Sequence, residues 1–295
     1  MESNPILVTA AGGQSGGQTA RQLLERGYPV RAFVHRRDER ADDLASLGAE
    51  VAVGDFHDVD SLRNAMKGVK RAYFCHPWVD RLLEATANFA IVAKEAGLEV
   101  TVNMSHSVVR EGHASPATRQ HWLGEKVLDW AGVGATHIRP GLFADNLLVF
   151  AAPTVAAEGK IYLPFGEGRH APVTVDDVAT VIVAILTDPE LRHVGKAYWV
   201  TGSTEMTVAD IADTIGRVVN KPVEYIEIPT EAWLEQLAKA PYMNTHFLKH
   251  LKQVAVMHRS GAFVGVSDVV EKIAGRRPKS LETFVRENIT AFTAA

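Results

Sequence analysis

The first 140 residues alternate apolar, strand-like runs with segments of helical periodicity, and this alternation limits the fold more than any other feature. The predicted strands are ILVTA, PVRAFVH, EVAVGD, RAYFCH, EVTVNMS and ATHIRP, and predicted helices separate them. Because neighbouring parallel strands need crossover connections, the alternation predicts a doubly wound parallel sheet. We therefore predict an α/β fold with a Rossmann-type sheet.

The alternation weakens after the segment RPGLFADN, which predicts a smaller α+β portion towards the C-terminus. In that portion GKIYLPFG is typical of a loop, KAYWVTG and VEYIEIP are typical of strands, and the remaining sequence favours mainly helices. We expect residues 1–150 to form the Rossmann-type domain and residues 151–295 to form a smaller substrate-binding portion, partly interleaved with it. The predicted helix at 175–186 is expected to pack back on the main sheet.

Charge and cysteine content narrow the classes of partner. A formal net charge of −4 and a pI near 6.3 give no concentrated basic surface for nucleic acid. No apolar run is long enough to span a membrane, and no signal peptide precedes the first predicted strand, so we expect neither a membrane partner nor export. The single cysteine, Cys75, excludes an intrachain disulfide. We expect a cytoplasmic protein that binds a small molecule.

Glycines between the first predicted strand and helix predict a site for the pyrophosphate of a dinucleotide. In the pattern G-x-x-G-x-x-G, Ala10 takes the first glycine position, and Gly13 and Gly16 take the second and third. Glycine lacks the Cβ atom, so backbone N–H groups at the positive end of a helix can approach the phosphates. The alternative is a tight turn without a ligand. The residues that we expect to bind the cofactor here are Ala10, Gly12, Gly13, Gln14, Ser15 and Gly16.

The residues after the second predicted strand favour NADP(H) as the cofactor. An acidic residue there would bind the ribose 2′-hydroxyl of NAD, whereas arginine pairs with the 2′-phosphate of NADP. This chain has His35, Arg36 and Arg37 at that place, and the alternative is that they are solvated surface charges. Further cofactor-binding residues are expected after the third and fourth predicted strands: Gly54, Asp55, Phe56, Cys75, His76 and Pro77.

Four segments together resemble the NmrA-like group of atypical short-chain dehydrogenase/reductases: VTAAGGQSGGQTARQLLERGYPVRAFVHRRDE, GDFHDVDSLRNAMKGVKRAYF, HWLGEKVLDWAGVGATHIRPGLFADN and VTVDDVA. This group includes type 2 quinone oxidoreductases and triphenylmethane reductases. The resemblance implies a Rossmann domain with a small substrate domain, a preference for NADP(H), and reduction of quinones or other conjugated aromatic compounds. The group also includes members that bind NADP and sense redox state without catalysis. Ala10 departs from the glycine pattern of the group.

The tyrosine–lysine pair of ordinary short-chain dehydrogenases is missing from the sequence. In those enzymes a lysine four residues after the tyrosine lowers the pKa of the tyrosine, which can then transfer a proton. None of the six tyrosines is followed by a lysine at that spacing. Where the resemblance places the pair, the chain has Trp122 and Lys126.

The helix that contains Trp122 also matches the H-x-x-x-E-K arrangement of quinone-reducing relatives, in His121, Glu125 and Lys126. His121 and Glu125 share one helical face, so we expect the carboxylate to orient the imidazole and to favour its charged form. His121 and Lys126 are catalytic candidates, with Lys126 expected to bind the nicotinamide ribose. The alternatives are a solvated His–Glu pair and a surface lysine. The core face of this helix is expected at Leu123, Val127 and Trp130.

The remaining candidates follow other predicted strands, because ligands bind at the carboxyl ends of strands in this architecture. Ser105 is a third catalytic candidate, and Pro140, Phe143 and Asn146 are expected near the nicotinamide. Loop or core packing would explain such side chains equally well. The residues expected to contact the substrate are Trp78, Ser107, Trp122, Phe143, Met243 and Phe247.

Two classes of function fit these residues. The first is an NADPH-dependent reductase that transfers hydride to a quinone or another conjugated aromatic acceptor, whose delocalised product anion can be protonated by water or by His121. The second is a non-catalytic NADP(H)-binding redox sensor with a protein partner, and an imine or carbonyl reductase of a biosynthetic pathway is a further alternative. We favour the first, because aromatic residues are expected around the cleft. We also expect a monomer or homodimer and no metal, since His246 and His250 have no third ligand indicated nearby.

Overall fold

The main sheet is built from strands of the N-terminal half and one later strand. The computed structural model describes residues 4–77, 80–112, 114–241 and 243–294. Its main sheet has seven strands in the order β3-β2-β1-β4-β5-β6-β8. The described pairings from β3 across to β6 are all parallel, which confirms the predicted doubly wound α/β fold. The strands are β1 (Ile6–Val8), β2 (Val30–Val34), β3 (Glu50–Val53), β4 (Arg71–Phe74), β5 (Val100–Met104), β6 (Ala135–Pro140) and β8 (Ala197–Val200).

A helix follows each of the first five strands. These crossover helices are α1 (Gln14–Glu25), α2 (Glu39–Ser46), α3 (Val59–Ala65), α4 (Leu82–Ala96) and α5 (Pro116–Ala131). Asp38 and Asp58 begin α2 and α3, because their carboxylates accept hydrogen bonds from backbone N–H groups of the first turn. These caps fix where each helix begins after the strand that precedes it.

The chain divides into two compact units. Unit 1 comprises Met1–His113, Ala117–Arg139 and Val178–Tyr198, and unit 2 comprises Ala114–Pro116, Pro140–Asp177 and Trp199–Ala295. Helix α8 (Val175–Thr187) begins in unit 2 and continues in unit 1. The assignment of residues 1–150 to cofactor binding and of residues 151–295 to substrate binding stays a prediction.

The core of unit 1 supports the carboxyl ends of its strands. Phe33 of β2, Phe74 of β4 and Phe89 of α4 are almost completely buried. The ring centroids of Phe74 and Phe89 are 4.4 Å apart. Burial of each such side chain stabilises the fold by about 1.5–3 kcal/mol, so the loops that follow β2 and β4 start from fixed positions.

Arg71 connects the amino edge of the sheet to the end of α8. Its guanidinium donates hydrogen bonds to the backbone carbonyl oxygens of Leu186 at 2.6 Å and Asp188 at 2.9 Å. Carbonyl oxygens at the end of a helix lack intrahelical partners and carry partial negative charge, which suits an arginine. Residues 178–198 are therefore part of the hydrogen-bonded framework of unit 1.

Unit 2 contains a second, two-stranded parallel sheet formed by β7 (Lys160–Leu163) and β9 (Glu224–Glu227). The prediction of a loop at GKIYLPFG is wrong for β7, because Ile161 and Leu163 are buried and the strand pairs with a segment far along the chain. The remaining helices are α6 (Leu147–Phe150), α7 (Ala152–Glu158), α9 (Val208–Val219), α10 (Thr230–Leu237), α11 (Thr245–Arg259), α12 (Val269–Ala274), α13 (Leu281–Glu287) and α14 (Ile289–Thr293). Across the described residues, every helix is too short or too polar to cross a membrane.

Candidate functional site

The loop between β1 and α1 has a conformation that requires glycine at one position. Ala10 has a φ of 49°, and its carbonyl accepts a hydrogen bond from the backbone N–H of Gly13 at 2.8 Å. A Cβ atom at Gly16 would overlap this same carbonyl of Ala10, so only glycine fits there. The alanine at the first position of the glycine pattern adopts the left-handed conformation that glycine takes without strain.

The N-terminus of α1 is open to an anion. Its N-cap residue, Gly13, provides no side-chain hydrogen bond, and the first turn contains no acidic residue. Gly13 and Gln14 are exposed, so the positive end of the helix is accessible. Together with the absence of a side chain at Gly16, this geometry fits the pyrophosphate of a dinucleotide.

Side chains from β1 and β4 contact this loop. The Tyr73 hydroxyl donates to Ser15 Oγ at 3.0 Å, and the backbone N–H of Cys75 donates to Thr9 Oγ1 at 2.9 Å. Burial raises the pKa of both Tyr73 and Cys75, so hydroxyl and thiol stay protonated at neutral pH. Sequence analysis did not identify Thr9 and Tyr73, because their partners lie on distant segments.

Three arginines follow β2, and their contacts differ. Arg37 Nε donates to Asp42 Oδ1 at 2.6 Å. The Arg40 guanidinium carbon lies 3.8 Å from the position that a Cβ atom would take at Gly12. Arg36 is exposed and forms no hydrogen bond or ion pair within residues that the structure describes. Arg40 therefore lies beside the glycine loop, and sequence analysis missed it because the pattern does not show the direction of its side chain.

The residues that follow the carboxyl end of β3 form the next part of the candidate site. A Cβ atom at Gly54 would meet the ring of Phe33 within 3 Å, which only glycine avoids. Asp55 Oδ2 lies 3.8 Å from Nδ1 of the exposed His35. The Phe56 ring packs edge-to-face on Phe33, with centroids 5.5 Å apart. Phe56 thus contributes to the core of unit 1, and its predicted contact with the cofactor stays a prediction.

Three histidines meet at the carboxyl ends of β4 and β5. His76 follows β4, His106 follows β5, and His121 lies on α5, with the ring centroids of His106 and His121 6.3 Å apart. Burial, together with the charges of His106 and His76, lowers the pKa of His121 to about 3. Burial also lowers the pKa of His76 to about 4. The expectation that His121 favours its charged form is wrong, because both imidazoles are neutral at neutral pH.

Glu125 is buried against Arg139 and Ser105. Arg139 donates to both oxygens of the carboxylate, at 2.9 and 2.5 Å, and Ser105 Oγ donates to Oε1 at 2.5 Å. The expectation that Glu125 orients His121 is therefore wrong. Ser105 is 3% exposed, so its hydroxyl is held by this carboxylate at the end of β5.

The core face of α5 differs from the predicted one. Trp130 is 78% exposed, so its predicted place on the core face is wrong, whereas Val127 is partly buried against the core. Hydrophobic spacing did not reveal the true face, because three of its residues are polar side chains buried with partners. The buried residues of α5 are Ala117, Thr118, His121, Gly124, Glu125 and Leu128.

Three further predicted residues are less buried than the core face of α5: Lys126, Trp122 and Ser107. Lys126 Nζ lies 3.6 Å from Asp129 Oδ2, one turn further along α5. Trp122 and Ser107 are both partly buried. Trp122 has no proton to transfer at neutral pH, and the roles of Lys126 and Ser107 stay predictions.

Unit 2 carries the other predicted residues in separate segments. The described ones are Pro140, Phe143 and Asn146 around the short helix Ala144–Asn146, and Met243 and Phe247 near the start of α11. Pro140 is buried and the other four are partly buried. Their contacts with cofactor or substrate stay predictions, and Trp78 lies outside the described residues. Within the described part of the chain, no group of three or more histidine, cysteine or acidic side chains could hold a metal.

Comparisons with known proteins agree with this geometry. The sequence profile of the NmrA-like family matches residues 2–285. An NAD(P)H azoreductase from Xenophilus azovorans is 29% identical, and the match covers 98% of this chain and 100% of the relative. A (4-alkanoyl-5-oxo-2,5-dihydrofuran-3-yl)methyl phosphate reductase from Streptomyces griseus is 31% identical, covering 97% and 99%. The NADPH complex of the quinone oxidoreductase QOR2 from Escherichia coli has the same fold, with a TM-score of 0.85, 24% identity, and coverage of 96% and 99%.

Proposed function

The chain belongs to the NmrA-like family, and from this premise we propose that it is an NADPH-dependent reductase that delivers hydride to a quinone or another conjugated aromatic acceptor. The observation that carries the proposal is the cradle between β1 and α1, where Gly16 lets α1 pack closely on the end of β1 and the open helix N-terminus suits a pyrophosphate. When bound, the reduced nicotinamide supplies the hydride. The names of the relatives, an azoreductase and a dihydrofuranone reductase, specify unsaturated acceptors and support this class.

The arginines after β2 support NADPH over NADH. Arg36 is unpaired within the described residues, and Arg40 lies beside Gly12 of the cradle. The unpaired guanidinium of Arg36 can pair with the 2′-phosphate, which only NADPH carries. Arg37 and Arg40 are weaker candidates, because Asp42 binds the guanidinium of Arg37 and Asp38 binds that of Arg40.

The composition of α5 supports a conjugated acceptor. A carbonyl group needs a proton donor during reduction, and Trp122 cannot supply one where tyrosine would stand. Reduction of a quinone gives a delocalised anion that solvent can protonate. Of the histidines at the carboxyl ends of β4 and β5, His76 and His121 are neutral. Glu125 is paired with Arg139, so such an anion would meet no unpaired buried charge among these residues.

The test is a steady-state assay of NADPH consumption with quinones, azo dyes, aldehydes and imines, beside a calorimetric titration of the cofactor. We expect turnover with at least one quinone and none with aldehydes. Tight binding of NADPH without turnover on the whole panel would contradict the reductase and favour the sensor. Turnover with aldehydes or imines alone would favour the biosynthetic reductase.

A further inference from the structure

A fully buried phenol lies next to the loop between β1 and α1. Tyr73 of β4 is 0% exposed, and its hydroxyl donates to Ser15 Oγ at 3.0 Å. A buried hydroxyl that loses its hydrogen-bond partner destabilises the fold, so this bond holds the two side chains together. The proposed hydride transfer gives Tyr73 no direct role, because a fully buried side chain cannot contact the acceptor.

Tyr73 is the donor in this hydrogen bond. Burial is the main cause that raises the pKa of Tyr73 well above its ordinary value, so the phenol keeps its hydrogen at neutral pH. Each hydroxyl has one hydrogen, and Ser15 Oγ uses a lone pair to accept from Tyr73. The hydrogen of Ser15 therefore remains available for a different acceptor.

One other group lies within hydrogen-bond reach of Ser15 Oγ in the described part of the chain. It is Cys75 Sγ, at 3.9 Å. Burial raises the pKa of the Cys75 thiol, so the sulfur is neutral and a weak acceptor. An ionised phosphate oxygen forms a stronger hydrogen bond with a hydroxyl. An anion at this end of α1 would therefore take the hydrogen of Ser15 from the sulfur.

Ser15 lies where the cradle presents its donors. It is in the first turn of α1, beside the exposed residues Gly13 and Gln14, and its own side chain is partly buried. Backbone N–H groups in the first turn of a helix lack intrahelical acceptors and can bind an anion. The hydroxyl of Ser15 adds a side-chain donor to this set of backbone donors.

Strand pairing fixes Tyr73 relative to the loop. The backbone N–H of Thr9 donates to the carbonyl oxygen of Tyr73 at 3.0 Å. Thr9 Oγ1 accepts from the N–H of Cys75 at 2.9 Å and donates to the carbonyl oxygen of Cys75 at 3.2 Å. The ends of β1 and β4 are thus joined by three hydrogen bonds, so the phenol is in place before a ligand binds. Donors that are already ordered lose little conformational entropy on binding.

We propose that Tyr73 is a positioning residue for the cofactor, because its hydroxyl holds Ser15 Oγ so that the hydrogen of Ser15 is donated to the pyrophosphate of the dinucleotide. This proposal rests on the proposed reductase function, which requires a dinucleotide in the cradle. NADPH and NADH share the pyrophosphate, so the Tyr73–Ser15 pair strengthens the binding of both. Arg36 differs, since its expected partner is the 2′-phosphate.

The test removes each hydroxyl in turn. Tyr73→Phe keeps the ring, and Ser15→Ala removes the proposed donor. Each variant, checked for folding by circular dichroism, is titrated calorimetrically with NADP, NAD and adenosine 2′-monophosphate, which has no pyrophosphate. We expect Tyr73→Phe to weaken NADP and NAD alike by about 3–10-fold, and Ser15→Ala by at least as much, with adenosine 2′-monophosphate unchanged. Unchanged binding of NADP by Tyr73→Phe, or an equal loss for all three ligands, would overturn the proposal.

The double variant separates positioning from structural support. Because Tyr73 acts through Ser15, adding Tyr73→Phe to Ser15→Ala should weaken NADP by less than about twofold further. A structural role of the phenol would give the same loss with serine or alanine at residue 15, and that result would reject the positioning role. The control is Tyr162→Phe in unit 2, which removes a phenol hydroxyl that donates to Glu158 and should leave the affinity for all three ligands unchanged.

The two proposals fail in distinguishable ways. Full affinity of Tyr73→Phe for NADP, together with quinone turnover by the wild type, keeps the reductase and rejects the positioning role. Absence of turnover with every quinone rejects the reductase, while the titrations with NADP and adenosine 2′-monophosphate still decide the role of Tyr73. Absence of NADP binding to the wild type rejects both.

Discussion

At the scale of single residues, Glu125 shows how a buried charge is tolerated. The carboxylate is 1% exposed and accepts hydrogen bonds from Arg139 and Ser105. A buried carboxylate is costly without such partners, and its removal leaves the guanidinium of Arg139 without its counter-charge. The pair therefore fixes the end of β6 against α5 in unit 1.

We expect Glu125→Gln to lower the free energy of unfolding by about 2–4 kcal/mol, because a buried ion pair loses one partner. Urea denaturation followed by circular dichroism measures the change. The control is Glu282→Gln on α13, whose exposed pair with Arg286 should contribute less than about 0.5 kcal/mol. A loss at Glu125 no larger than that of the control would show that the pair is solvated.

The arginines after β2 give a second prediction at this scale. We expect Arg36→Ala to weaken NADPH binding by about 10–100-fold and NADH binding by less than about threefold, since only NADPH offers a 2′-phosphate. Arg37→Ala and Arg40→Ala should have smaller effects on NADPH, because these side chains already pair with Asp42 and Asp38. Calorimetric titration of both cofactors checks this, and equal losses for NADPH and NADH would contradict the assignment.

Single residues were also where sequence reasoning was least complete. The glycine pattern predicted the cradle, since Gly13 and Gly16 act through backbone geometry that the residue type itself specifies. The environment of His121 and Glu125 could not be predicted, because helical spacing places them on one face without showing that Arg139 and Ser105 reach the carboxylate from β6 and β5. Contacts between distant segments have no signature in a single sequence.

At the scale of elements, α11 and the segment after β7 share a buried histidine pair in unit 2. His170 and His258 are 1% and 0% exposed, and their ring centroids are 4.8 Å apart. None of their ring nitrogens has a hydrogen-bond partner within the described residues. Burial lowers the pKa of His170 to about 4, and burial also lowers that of His258.

This pair should make the fold sensitive to acid. The pKa of His170 rises on unfolding from about 4 to about 6.5, so the unfolded chain binds the proton more tightly and stability is lost as the pH falls through this interval. We expect the loss from His170 to approach about 3 kcal/mol. Urea denaturation at several pH values measures it, and His170→Leu should flatten the dependence.

The control for the acid sensitivity is His35→Gln, which removes an exposed histidine and leaves the buried pair in place. A wild-type stability that stays constant between pH values of about 6.5 and 4 would contradict the burial of the pair.

Elements of the parallel sheet were predictable, whereas those of unit 2 were less so. Strands β1 to β6 are apolar runs separated by helices, and each signal is local. Strand β7 was not predicted, because its four residues lie between glycines and become a strand only by pairing with β9. The side chains of Asp58 and Thr207 accept hydrogen bonds from the first turns of the helices that they cap.

At the scale of the whole molecule, the chain returns to unit 1 after building part of unit 2. Residues 178–198 supply the carbonyl groups that accept hydrogen bonds from Arg71. They also include part of β8, which neighbours β6 in the sheet. A fragment of residues 1–150 would lack all of these contacts. We expect it to show no cooperative urea transition, in contrast to the full chain. A cooperative transition of the fragment at the midpoint of the full chain would contradict the interleaved arrangement.

The most direct test of the whole account is the rate of NADPH consumption with a quinone by the wild-type protein and by Gly16→Ala. A Cβ atom at residue 16 overlaps the carbonyl of Ala10, so it should push α1 away from β1 and displace the helix N-terminus of the cradle. We therefore expect quinone-dependent consumption by the wild type and at least about a hundredfold loss of kcat/KM in a variant that is still folded by circular dichroism. Undiminished activity of the folded variant, or no quinone-dependent consumption by the wild type, would contradict the account.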